Sequence, residues 1–113
     1  MKIIITMIVS ALLASGASAH SKVSTTTPSN HAELADVPAQ IGFDFAKNIR
    51  LTKVKVTHDN DPAVPVDLVG QTDFERIFTL PLPDMGDGTY HIEWRGLGMD
   101  GHAMQGDFTF EVN

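Results

Sequence analysis

Asp100, Gly101 and His102 lie within the stretch Trp94–Phe110, which reads WRGLGMDGHAMQGDFTF. A carboxylate and an imidazole two residues apart, separated by the smallest residue and flanked by Met99 and Met104, look like half of a metal site. Selective protein metal sites hold their ion with three or four donors fixed by the fold. Two donors leave this site incomplete, so the remainder must come from elsewhere in the chain. Gly101 lets the two side chains turn to the same side whether the segment is strand or tight turn.

The N-terminus supplies the candidate. Met1-Lys2, the apolar run Ile3 to Leu13 and the small residues Ala14 to Ala19 have the charged, apolar and small-residue parts of a secretory signal peptide, too short to span a bilayer. Ala17-Ser18-Ala19 is an A-x-A signature, which divides the chain into a signal peptide over 1–19 and a mature domain over 20–113. The mature protein then starts with His20. A first-residue histidine carries a free α-amine beside its imidazole, and amine and Nδ1 close a six-membered chelate ring on one metal. Such a brace suits Cu(II), which favours nitrogen and oxygen donors in a tetragonal arrangement.

Composition agrees with a small exported domain. Removing 19 residues from 113 leaves 94, enough for one core and too few for two. There is no cysteine, which excludes a disulfide framework and a thiolate copper site. The chain has 8 basic and 14 acidic residues; without Lys2 the balance is 7 against 14, a net of −7 with histidines neutral. That sign argues against nucleic acid or an anionic membrane as partner and is compatible with attracting cations.

The elements that must position these ligands alternate with period two. Ile41, Phe43 and Phe45 alternate with Gly42, Asp44 and Ala46; Val54 and Val56 with Lys53 and Lys55; Tyr90, Ile92 and Trp94 with His91, Glu93 and Arg95; Phe108, Phe110 and Val112 with Asp107, Thr109 and Glu111. Each reads as a half-buried strand. Val23 to Thr27 and Val64 to Leu68 read as weaker strands, and Pro28, Pro38, Pro62, Pro81 and Pro83 with Gly86-Asp87-Gly88 punctuate the connections. Short strands at this spacing give an all-β sandwich or barrel.

The run LPDMGDGTYHIEWRGLGMDGHAMQGDFTFEV resembles the C-terminal signature of CopC-type periplasmic copper-resistance proteins, and His20, Thr27-Pro28 and Phe43-Asp44-Phe45 fit the same pattern. The resemblance implies an immunoglobulin-like (cupredoxin-like) Greek-key β-sandwich binding one Cu(II) through His20, Asp100 and His102. It further implies a monomeric periplasmic carrier or buffer in copper homeostasis, resistance or import, with no catalytic role. Its implied partner, besides the copper ion, is an inner-membrane copper transporter of the CopD type. The donors make chemical sense as a square: amine and Nδ1 of His20, an imidazole nitrogen of His102 and a carboxylate oxygen of Asp100 give a tetragonal N3O plane. Three departures stand out. Leu51 to Gly70 contains no Met where some members carry a Met-rich Cu(I) loop, Ala46-Lys47-Asn48 replaces a Glu found near the site in some members, and Gly98 replaces the usual Ser before D-G-H.

The other histidines read more plainly: His91 and His58 as solvated surface residues, His31 as the best outside candidate for a ligand, in a turn leading away from the first strand. Met99 and Met104 read as core or rim. A second function class shares the N-terminal brace, the copper-dependent oxidative enzymes. An in-plane carboxylate occupies a position that oxygen chemistry needs, and Tyr90 and Trp94 read as buried, so no polysaccharide platform is expected. A metal-free adhesion module leaves the coincidence of His20 with D-G-H unexplained.

Overall fold

The computed structural model describes residues 23–113; the expected signal peptide over 1–19 and His20 lie outside the described residues. Seven strands follow one another: β1 Val23–Thr27, β2 Ala32–Leu34, β3 Gln40–His58, β4 Val64–Pro65, β5 Glu75–Pro81, β6 Gly88–Gly98 and β7 Ala103–Val112. All-β architecture is as the alternation predicts, and the arrangement is a β-sandwich. The first half of β3 pairs with β1 on one side and β5 on the other. Its second half pairs with β6 and the short β4, and the ladder continues through β7 to a parallel β2. One strand thus belongs to both sheets.

The phase of β3 shows how it crosses. Ile41, Phe43 and Phe45 are buried, Ala46 to Asn48 are exposed, Ile49 and Leu51 are buried again, and after Thr52 the buried set becomes Val54, Val56 and His58. The first break coincides with the register shift against β5 between Asp44 and Ile49, the second with a shift against β6 between Leu51 and Lys53. Bulges bend a strand and increase its twist. Arg76 secures the first break by donating to the Phe45 carbonyl at 3.1 Å and pairing with Asp44 at 3.2 Å.

Aromatic side chains from both sheets fill the core. Phe43 and Phe45 on one side meet Trp94 edge-on, with ring centroids 6.4 and 5.0 Å apart, and Phe43 meets Phe108 at 5.7 Å. Tyr90 stacks on Phe110 and is fully buried, as its place in the pattern predicts. Its hydroxyl donates to the Gly86 carbonyl at 2.7 Å and accepts the Met85 amide at 3.0 Å, which ties the loop before β6 to its first residues. This resembles the tyrosine corner of immunoglobulin-like sandwiches. Burial pushes its phenol pKa up.

Two expectations change. Val64 to Leu68 pairs only over Val64–Pro65. His58 is buried rather than solvated: it falls in phase with Val54 and Val56, packs edge-on against Tyr90 at 4.9 Å, and its Nε2 donates to the Asp87 carbonyl at 2.8 Å. Asp59 and Asp61 lie 3.7 Å from its two ring nitrogens.

Gly106 stands opposite Trp94 in the β6–β7 ladder, and a Cβ there would come within 2.8 to 2.9 Å of the indole ring. The rigid, buried ring cannot yield as a flexible chain would. Gly106→Ala should therefore destabilise the domain by about 1–3 kcal/mol, lowering its melting temperature by about 4–8 °C per kcal/mol. Fluorescence of Trp94, the single tryptophan, follows the transition; an unchanged melting temperature would contradict the packing.

Candidate metal centre

Asp100-Gly101-His102 forms the tip of the β6–β7 hairpin. The Gly98 amide donates to the His102 carbonyl and the Gly101 amide to the Gly98 carbonyl, both at 2.9 Å. Gly101 has φ 85°, a left-handed conformation that glycine adopts without the cost a Cβ imposes. Within this turn Asp100 Oδ1 accepts the His102 main-chain N–H at 3.0 Å, and Oδ2 accepts the His102 Nδ1–H at 2.8 Å. Both side chains face solvent, Asp100 at 64% and His102 at 83% exposure.

The pairing has two chemical consequences. The His102 amide, and secondarily its imidazole, hold the Asp100 carboxyl below its ordinary pKa. With Nδ1 engaged by a carboxylate, His102 presents Nε2 outward, the tautomer and orientation in which metal-bound histidines are commonly held. Each Asp100 oxygen keeps a further lone pair. The turn therefore offers one imidazole nitrogen and one carboxylate, aimed at water.

Gly98, which stands where a Ser is usual, is explained by the same geometry. A Cβ on it would lie 3.0 Å from Asp100 Oδ1 and 2.9 Å from the Met104 methyl. The carboxylate packs over this bare backbone and takes its hydrogen bonds from His102 instead of from a hydroxyl. Met104 is half-buried against the core, while Met99 is 70% exposed at the turn.

Among the described residues no third His, Cys, Asp or Glu joins this pair to complete a metal-binding group. Of the expected ligands, Asp100 and His102 come together and His20 lies outside the described residues. His31, the outside candidate, is not at this end. Its amide donates to the Thr109 carbonyl at 2.7 Å, about 23 Å along β7 from His102 at about 3.3 Å per residue. His91 pairs with Asp107 at 2.7 Å and His58 is buried. The reading of the sequence missed that Asp100 and His102 bind each other; the Asp-Gly pair followed by an amide two residues on carries that signal, because Asp side chains commonly accept that amide.

Because the Asp100 pKa is depressed, the turn's stabilisation is fully present above the ordinary carboxylate range and lost as pH falls through the depressed value. Carboxyl NMR titration of the metal-free protein should show this depression. In His102→Ala the larger contribution, the main-chain bond, stays, so the midpoint should rise only part of the way toward the ordinary value. A midpoint unaffected by the substitution would disprove the side-chain bond.

Comparison with known proteins is consistent with this turn and fold. The CopC domain matches residues 23–113. Copper resistance protein C of Pseudomonas syringae pv. tomato is 30% identical over 94% of this chain and 87% of its own length. The copper transport protein CutJ of Bacillus subtilis (strain 168) is 26% identical over 83% of this chain, which spans only 18% of that larger protein. The crystal structure of CopC from Methylosinus trichosporium OB3b superposes with a TM-score of 0.71 at 26% identity, covering 83% of this chain and 94% of that one. By its sequence, its sandwich and the extent of these matches, the chain belongs to the CopC family.

Proposed function

We propose that the protein binds one Cu(II) as cargo and carries or buffers it in the periplasm, without catalysing a reaction. The α-amine and Nδ1 of His20, Nε2 of His102 and an Asp100 oxygen would form the N3O plane. One observation carries the reading. The strand that starts the described chain and the D-G-H turn lie at the same end of the sandwich, because Val23 pairs with Phe45 just before the β3 crossing while Gly98 pairs with Ile49 just after it. A three-residue lead before Val23 spans at most about 10 Å, a reach that suits a ligand at His20. Both donors are exposed, and once the Asp100–Nδ1 hydrogen bond opens, a carboxylate oxygen and Nε2 of His102 can turn toward one ion held by the brace.

The relatives support the cargo role. Copper resistance protein C and CutJ are named for copper resistance and copper transport. The match to one part of a larger copper transport protein supports a role in moving copper, for which a transporter of the CopD type is the proposed recipient. The absence of Met from Leu51 to Gly70 favours Cu(II) over Cu(I) as the held form.

Titrating the protein that begins at His20 with Cu(II), followed by electron paramagnetic resonance, tests the assignment. The expected result is one tetragonal Cu(II) per chain with nitrogen couplings. Binding should raise stability by about 3 kcal/mol at a hundredfold excess over Kd. His102→Ala and Asp100→Ala should each weaken binding while leaving the apo melting temperature nearly unchanged, since both side chains are exposed. Full affinity in both variants would remove the D-G-H turn from the site.

A further inference from the structure

Thr52 is the extra residue of the β3 bulge: Leu51 pairs with Gly96 and Lys53 with Arg95, so two steps of β3 face one step of β6. The Thr52 hydroxyl pins the bulge by donating to the Arg95 carbonyl at 3.1 Å. Strict alternation after buried Leu51 would turn Lys53 inward and Val54 outward. With the bulge, Val54 is buried and Lys53 stands outside, directly opposite Arg95. Like charges facing each other across strands destabilise a sheet. Here the bulge creates that juxtaposition.

The surroundings leave the two cations unsatisfied. Acidic residues outnumber basic ones 14 to 8 in the chain, yet neither Lys53 nor Arg95 makes an ion pair among the described residues. The carboxylates beside them are already engaged, Glu93 by Lys55 at 3.4 Å and Asp107 by His91 at 2.7 Å. Lys53 and Arg95 line an open groove of about 600 Å³ on the outer sheet face, with Gln105 beside Arg95. Arg50, opposite Leu97, extends the basic row toward the hairpin tip. Of the two remaining basic residues described, Arg76 is paired with Asp44 on the other sheet and Lys47 stands exposed at the β3 crossing, without an ion pair among the described residues.

We propose that this groove docks an acidic segment of a partner protein, with Lys53 and Arg95 holding its carboxylates. An arginine fork binds carboxylate bidentately and the neighbouring lysine adds a point charge. The groove is open along the strands and does not enclose a ligand as small-molecule sites do; it fits a chain lying across the sheet. On a domain with this excess of acid, an acidic partner is repelled elsewhere and attracted here, which fixes the orientation of docking. Arg95 precedes Asp100 on the same hairpin, about 16 Å away at about 3.3 Å per residue, so the partner would sit beside the D-G-H turn. Docking itself does not involve copper; only its use in handing copper over rests on the proposed function.

The test uses metal-free protein, so its outcome is independent of the copper assignment. A synthetic peptide of repeating Glu-Ser units is titrated at low ionic strength while backbone amides are followed by NMR. Saturable shifts should centre on Lys53, Arg95 and Gln105 and vanish in high salt. Lys53→Gln and Arg95→Gln should each weaken binding by about tenfold, whereas Arg76→Gln should not. No saturable shifts at this face, equal loss in Arg76→Gln, or the same shifts and affinity with inorganic phosphate would overturn the proposal, the last by showing a simple anion site.

Discussion

Ile49 pairs with Glu75 of one sheet and Gly98 of the other, and this shared residue is the constraint on which the ligand-bearing end depends. A strand that serves both sheets must interrupt its buried face where it crosses. The break between Phe45 and Ile49 does so, with Arg76 holding the loosened carbonyl of Phe45. Everything at that end is measured from the crossing. β1 starts beside Phe45, β6 stops beside Ile49, and the D-G-H turn follows Gly98 directly. The inward rings of Phe43 and Phe45 pack on Trp94, so the aromatic core fixes the two sheets at the end where β1 begins and β6 stops.

The strands that were legible in the sequence are those whose buried residues are large and recur every second position, as in Tyr90-Ile92-Trp94 and Phe108-Phe110-Val112. β5 was not legible, because outward Ile77 is as apolar as inward Phe78 and Leu80 and blurs the period; it is 61% exposed. The length of β3 was hidden by the exposed run Ala46 to Asn48 and by the phase change at Thr52, each of which reads locally as the end of a strand. β2 is too short to show a period. His58 was misread because its acidic neighbours suggest solvent, whereas the phase set by Val54 and Val56 turns it inward. The D-G-H pair was legible as chemistry; its internal hydrogen bonds depend on the left-handed turn at Gly101 that the structure supplies.

Electrostatics divides the outer surface of the domain into separate tasks. At the hairpin tip a carboxylate is kept ionised by a main-chain amide and an imidazole, and it aims Nε2 of His102 into water. On the adjoining sheet face a bulge sets two cations side by side without carboxylate partners. The cation pair forgoes local stability for exposed, oriented groups. Such departures from local optimum concentrate where proteins act on ligands.

The central claim is that copper is held by a chain-terminal histidine together with the D-G-H turn, and the N-terminus is where it can be tested most directly. Two forms of the protein are compared by Cu(II) competition titration and electron paramagnetic resonance: one begins at His20, the other carries one additional residue before it. With the amine free, copper must displace its proton, so affinity falls as pH drops. In the extended form that nitrogen is an amide and the six-membered ring is lost, so the account predicts weaker binding by several orders of magnitude and an altered nitrogen pattern. Identical affinities and spectra for the two forms would contradict it.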